Sequence, residues 1–375
     1  MSTSTSDRIY LDYNATAPVL PAARAAMVAA LDSAFGNPSS KHWAGRAAHA
    51  VIKEARAAIA RLAGAEPDHV VFTSGATEAI HQVIRSQPAG RLVCGAVEHP
   101  AVFGAAALYG REVTRVAPLR HGPITAAAVL AAVDDGPPPA LVCVMAANNE
   151  TGIVNSVDDL IAPLRERGVP LLVDAVQYAG KLPIRCAPDY LVVAAHKFGG
   201  PKGAGALVVH PTAPLAALFD GGGQERGKRS GTEPVPAIAG FGAAAAWTIE
   251  RLATLTVRYA TLRDRLETGL LAALPGSFVV GREAARLPNT SSFVLPPGVE
   301  SEAVMSHLNR AGVAVSAGSA CHSGSVLPSP VLLAAGLTPD ETFRALRLSL
   351  GHGTTDDEID RVLDLLPATA RQVAR

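Results

Sequence analysis

The chain has 375 residues, and 33 Lys and Arg balance 33 Asp and Glu. That length predicts two domains rather than a single core, and the lack of net charge gives no footing for direct contact with nucleic acid or an anionic membrane. No uncharged apolar run approaches the roughly twenty residues of a membrane span, and residues 1–8 carry no secretory pattern, so a soluble cytoplasmic protein is expected.

In chain order, short apolar runs at 70–72, 91–94, 141–145, 170–173, 190–195 and 206–209 alternate with helical spacing at 78–86, 101–109 and 156–167. Continuous Val and Leu runs, rather than strict alternation, predict strands covered on both faces and hence an open, mostly parallel sheet. Only a Gly-Pro-Lys-Gly turn separates the last two runs, which predicts one antiparallel member. A long helical segment, 248–273, then ends at Pro275-Gly276. Beyond it lie fewer strands and amphipathic helices near 302–311, 331–335 and 356–366. The domain boundary is placed within the long helix.

In open parallel sheets, ligands bind beyond the carboxyl ends of the strands. Polar clusters stand at five such ends: Thr73-Ser74-Gly75-Ala76-Thr77-Glu78, Glu98-His99-Pro100, Asn148-Asn149-Glu150, Asp174 and Lys197. Their convergence predicts one site. A lysine at the mouth of a buried strand is costly unless its amine has a chemical use. Asp174 and Lys197 therefore look like the ends of a clamp for pyridoxal phosphate (PLP), the acid on the pyridinium nitrogen and the amine on the aldehyde carbon. Taken singly, Asp174 also reads as a helix cap and Lys197 as a snorkelling side chain.

The other clusters each carry two readings. The Ser-Gly-Ala-Thr turn is a phosphate cradle or an ordinary capping box. His99 lies on a cofactor face and moves protons, or is a simple turn residue. Asn149 meets a ring hydroxyl or a carboxylate, or is turn chemistry. Arg347, on an apolar strand, is a fork for a substrate carboxylate or half of a structural ion pair. The basic loop 221–232 is a solvated hairpin, or a second phosphate contact that reaches a neighbouring subunit.

Of four cysteines, Cys94 and Cys143 sit in apolar runs and are expected to be inert, and Cys186 shows no signature. Cys321 lies in a stretch, 316–325, too small and polar to pack as a core. No Cys-x-x-Cys pair exists, so neither a zinc site nor a redox dithiol is expected.

These residues carry a family resemblance. It runs from Tyr10-Leu11-Asp12-Tyr13-Asn14-Ala15-Thr16-Ala17-Pro18 through Phe35-Gly36-Asn37-Pro38-Ser39-Ser40 and the strand-end clusters. It continues through 174–177, His196-Lys197 and 221–232 to Gly318-Ser319-Ala320-Cys321 and 347–351. Nearly end to end, the chain resembles the cysteine desulfurases of the NifS/IscS type, in the class V aminotransferase group of fold-type I PLP enzymes. The resemblance implies an α/β fold: a large domain (16–255) with a mostly parallel seven-stranded sheet, and a smaller α+β domain (1–15 and 256–375) carrying a mobile cysteine loop.

By the same resemblance, Lys197 would hold PLP as a Schiff base, Asp174 the pyridinium and Gln177 the ring hydroxyl, with His99 stacked on the ring. The Ala76 backbone, Thr77 and His196 would bind the phosphate, joined by Thr232 from the partner of a homodimer. Asn149 would touch cofactor or substrate, and Arg347 the carboxylate of L-cysteine. Cys321 would be the nucleophile, taking sulfur as a persulfide for a sulfur-acceptor protein such as an iron–sulfur scaffold. One position departs from the family, which usually has Ser where this chain has Ala194. A selenocysteine lyase or another class V lyase or aminotransferase would share the clamp, though a transaminase has no need for Cys321 on a flexible loop.

Overall fold

The computed structural model describes residues 8–317, 319–322 and 325–374, with the backbone alone at 319–322, 325 and 326. A short strand, β1 (Ile9–Tyr10), leads into helices α1 (Pro21–Ser33) and α2 (Trp43–Ala63). Strands and helices then alternate: β2 (Val70–Thr73), α3 (Ala76–Ser86), β3 (Leu92–Gly95), α4 (Pro100–Leu108), β4 (Val113–Val116) and α5 (Ala126–Asp134). Next come β5 (Leu141–Met145), α6 (Asp158–Glu166), β6 (Leu171–Asp174), β7 (Tyr190–Ala194) and β8 (Gly205–Val209).

These strands form a seven-stranded sheet in the order β2-β8-β7-β6-β5-β3-β4. β8 runs antiparallel to both its neighbours, and the remaining pairs are parallel. Six strands match the apolar runs. β4 was not legible: at the sheet edge, Val113-Thr114-Arg115-Val116 is only partly buried and needs no continuous apolar run. β7 stops at Ala194, one residue short of the expected end, and Ala195–Lys197 is a 3₁₀ turn.

Side-chain alternation divides the sheet's two faces. Phe72, Val142, Val144, Leu191 and Val193 join α1, α2 and the start of α7 (Val235–Ala273) in one core. Val71, Leu141, Cys143, Tyr190 and Val192 join α3 and α4 in the other. The 39-residue α7 is shared: Ile238, Phe241 and Ala245 face the sheet, whereas Leu262, Leu266 and Leu270 enter a separate core.

That separate core is built from β9 (Phe278–Val279), β10 (Thr290–Val294), α8 (Ser301–Arg310), β11 (Val313–Ala314) and β12 (Ser316–Ala317). β13 (Ser319–His322) and β14 (Ser325–Pro328) form an antiparallel hairpin, followed by α9 (Pro330–Ala334), α10 (Pro339–Phe343), β15 (Ala345–Ser349) and α11 (Asp356–Val373). The second sheet, β12-β15-β10-β9, is antiparallel. β1 pairs in parallel with β11, so the start of the chain belongs to this core. α11 runs past its expected end at 366 and through Pro367, because Leu366, Pro367 and Ala370 are all buried and packing offsets the hydrogen bond that proline removes. Among the described residues no helix is long and apolar enough to cross a membrane.

Candidate active site

The carboxyl ends of β2, β3, β5, β6 and β7 open on a cavity of about 720 Å³. All five predicted clusters reach it: Ala76 and Thr77, His99, Asn149, Asp174 with Gln177, and His196 with Lys197. β8 starts at this edge, pressed so close to the β2–α3 turn that a Cβ on Gly205 would lie 2.7 Å from the Gly75 Cα. A side chain there would push the turn out of place. No side chain caps α3, so the capping-box reading fails and the first-turn amides at Ala76 and Thr77 stay open to the cavity. Glu78, which would repel an anion there, is tied to Arg229 at 2.9 Å and to the Ser74 amide.

Lys197 is half-buried, and burial, reinforced by the Arg347 charge, lowers its amine from 10.5 to about 8 against the opposing pull of Asp174 and Asp12. Part of the population is thus neutral near pH 7–8 and able to act as a nucleophile or proton carrier. Its Nζ donates to the carbonyls of Asn14 (2.7 Å) and Ala15 (3.0 Å). Asp174 is buried, and burial raises its carboxyl, with the Val176 amide and the charges of His99 and Lys197 pulling the other way. A cationic N–H partner is what such a carboxylate requires. His99 is held neutral by burial, and its Nδ1 accepts from the Ala101 amide at 3.1 Å, which leaves the proton on Nε2. His196 is lowered to about 4 by burial and by the charges of Lys197, Lys202 and Lys181.

In the same cavity, Arg347 has the structural ion pair that was one of its two readings and keeps a donor for the other. It forms the structural pair, NH2 to Asp12 Oδ1 at 2.6 Å, and NH1 donates to the Asn149 carbonyl at 3.1 Å. Its Nε is buried without a partner, and its side chain lines the cavity. A buried guanidinium with one idle donor is poised for an incoming anion.

One predicted residue lies apart, and the side chain of another is not described. Thr232 is exposed and does not line the cavity. The Cys321 side chain lies outside the described residues; its backbone belongs to β13. The loop 221–232 is not freely solvated, because Glu225 is buried beneath β2, where it pairs with Arg56 at 2.6 Å and accepts from the Phe72 amide. Cys94 and Cys143 are buried and Cys186 partly so.

Sequence reasoning missed Asn14, the residue that joins these parts. Buried almost completely, it donates to the Asn149 carbonyl and Thr290 Oγ1, and its own carbonyl accepts from Gln177 Nε2 at 2.8 Å and from Lys197. Its position in the motif 10–18 was the only available signal, since all these partners are distant in sequence. Asp12, Thr16, Lys181 and Lys202 were missed for the same reason.

The donor set fits PLP. Uncapped amides and a neutral His196 suit its phosphate, a buried carboxylate suits a pyridinium N–H, and a half-neutral amine suits an aldehyde. Residues 9–362 match the family model for class-V aminotransferases. A cysteine desulfurase of Cereibacter sphaeroides is 42% identical over 380 residues, covering 98% of this chain and 97% of that protein. A solved NifS-like protein superposes with a TM-score of 0.87 at 31% identity, covering 96% and 98% of the two chains. The protein SspA, solved in complex with cysteine, superposes with a TM-score of 0.78 at 30% identity, covering 91% of this chain and 98% of that one.

Proposed function

This chain belongs to the class-V aminotransferase family, and we infer that it is a cysteine desulfurase, converting L-cysteine to L-alanine with transfer of the sulfur to Cys321 as a persulfide. The observation that carries the reading is the placement of Lys197, a half-buried and partly neutral amine, in one cavity with Asp174 and an Arg347 that keeps an idle donor. PLP, when bound, supplies an aldehyde that condenses with amines and a ring that takes up the electrons released at the substrate's α-carbon.

The residues then divide the work. Ala76, Thr77 and His196 hold the phosphate, Asp174 keeps the ring nitrogen protonated, and Gln177 donates to the ring oxygen. Lys197 moves the α-proton, and His99, with its free N–H on Nε2, serves the same region. Arg347 and Asn149 orient the substrate. The Cys321 thiolate attacks the substrate sulfur, so that an S–S bond forms as the C–S bond breaks and the carbon fragment leaves as alanine after protonation. We place Thr232 at the phosphate of the partner subunit in a homodimer, which its exposure outside its own cavity supports. A sulfur-acceptor protein would then collect the persulfide. The test is alanine formed from L-cysteine by the purified, PLP-loaded protein; a protein that holds PLP and makes no alanine is not a desulfurase.

Arg347→Ala is expected to raise KM for L-cysteine by about 30-fold or more, since loss of one partner of a buried charged contact costs roughly 2–5 kcal/mol, while PLP content stays unchanged. Steady-state kinetics beside the PLP absorbance checks this. An unchanged KM with a lowered melting point would leave only the Asp12 pair as its role.

Ala194 is buried and lines the cavity at the position where the family usually has a phosphate-binding Ser. Ala194→Ser should slow PLP release by about fivefold, because a hydroxyl adds a charge-assisted hydrogen bond to phosphate. Release followed by PLP fluorescence after dilution into a trap measures it, and an unchanged rate would mean the phosphate is already saturated.

A further inference from the structure

The chain has only six lysines, and two of them, the buried Lys181 and the half-buried Lys197, line one small cavity. Lys181 follows β6 in the turn Gly180-Lys181-Leu182, fixed by its carbonyl, which accepts from Thr256 Oγ1 of α7 at 2.8 Å. It is 4% exposed, a rare state for a lysine. Its Nζ reaches Gln177 Oε1 at 3.5 Å. A cavity of about 20 Å³ separates it from Lys197, room for a single water.

We propose that Lys181 is a positioning residue for the desulfurase site: it fixes the Gln177 amide with its NH2 group toward Asn14 and the cofactor cavity, and places a second amine behind Lys197. The inference rests on the assignment of that cavity to PLP and L-cysteine.

The Gln177 orientation follows from hydrogen-bond roles. The Asn14 carbonyl can only accept, so the Gln177 atom 2.8 Å from it is Nε2, and Oε1 must face Lys181. With one Nε2 hydrogen spent on Asn14, the other remains for a ligand oxygen in the cavity that Gln177 lines. Without Lys181, Oε1 would be a buried acceptor with no donor, and the amide would be free to turn.

The surroundings of Lys181 offer no counter-charge. The titratable groups around the small cavity are Lys197, Tyr13 of the N-terminal segment, Tyr259 of α7 and His352 after β15. Burial raises both tyrosines and lowers the histidine, so all three are neutral near pH 7. Burial first, and then the Lys197 charge, lowers Lys181 from 10.5 to about 7. The protein therefore bears a destabilising charge below pH 7. The penalty fades as the pH rises from about 7 to 10.5, because there only the unfolded chain still takes up the proton.

The test compares the PLP-loaded wild type with Lys181→Met and Lys181→Gln. Lys181→Met should release PLP about tenfold faster, whereas Lys181→Gln, which retains an N–H donor, should stay within about twofold of wild type. In Lys181→Met the pH midpoint of the visible absorption of bound PLP should move upward, since a donor to the ring oxygen and a neighbouring positive charge are both lost. Lys181→Met should also melt at a higher temperature than wild type below pH 7, with the gain shrinking toward pH 10.5. A Lys181→Met protein with altered melting but unchanged PLP release and spectral midpoint would reduce Lys181 to packing and overturn the proposal. If that variant does not fold, ¹⁵N NMR of wild-type holoenzyme labelled at glutamine side chains decides: Gln177 amide signals that follow the titration of Lys181 support the proposal, and signals that do not respond to it overturn it. A wild type that binds no PLP would instead overturn the desulfurase reading.

Discussion

Replacing Lys197 with alanine should abolish alanine formation from L-cysteine, a loss of about 10⁴-fold or more given what a positioned proton carrier contributes, compounded by loss of the covalent anchor. Borohydride treatment of the wild type should fix PLP to the peptide containing Lys197, and to no peptide of the variant. Lys202 also lines the cavity, and Lys181 lies behind it, but neither has the bonds to Asn14 and Ala15 that aim the Lys197 amine. An arginine could not substitute, because a guanidinium does not give up its proton in this range. Turnover retained in Lys197→Ala, or PLP fixed to another lysine, would remove Lys197 from the chemistry.

Cys321→Ser should separate cofactor binding from sulfur transfer. The variant is expected to load with PLP to wild-type extent, since none of the groups fitted to the phosphate, ring or aldehyde comes from β13. It should form neither persulfide nor alanine, because a hydroxyl is a poor nucleophile toward sulfur at neutral pH. Alkylation after cysteine treatment should tag one persulfide per wild-type chain, on the peptide holding Cys321. The buried Cys94 and Cys143 should stay untagged; the hydrogen-bonding contact with Cys94, and then burial, push the Cys143 thiol well above its usual value. Alanine released by Cys321→Ser at the wild-type rate would favour a directly eliminating lyase.

How far the sequence speaks depends on the range of the interaction. Strands buried on both faces demand unbroken apolar runs, so β3, β5, β6, β7 and β8 were legible, and with them the strand ends that carry His99, Asp174 and Lys197. β4 was not, because an edge strand tolerates Thr114 and Arg115. The same limit hid Lys181, which in sequence is an unremarked cation in a Gly-Lys-Leu-Pro turn and becomes unusual only when α7 and the N-terminal segment close over it. Arg347 was legible as an anomaly, but its ion-pair partner was not, since Asp12 meets it only through the pairing of the chain start with the second core. Glu225 gave no sign that it would be buried, and the loop it anchors read either as a solvated hairpin or as a phosphate contact for a neighbouring subunit, with no hint of the anchor.

The hub at Asn14 has a consequence for how the protein is made. Its partners stand 135 residues away at Asn149, 163 at Gln177, 276 at Thr290 and 335 at Ser349. Contacts of such high order are the last to form, because the entropy of closing the intervening loops must be overcome first. A nascent chain that has completed the seven-stranded sheet still lacks β10 and β15, and its Lys197 and Gln177 lack a finished Asn14 to bind. The Asn14 bonds that aim Lys197 and Gln177 are therefore complete only after synthesis has passed Ser349 and the N-terminal segment has met the second core. The aim of those two side chains thus reports on the folding of the second core, and not of the central sheet alone.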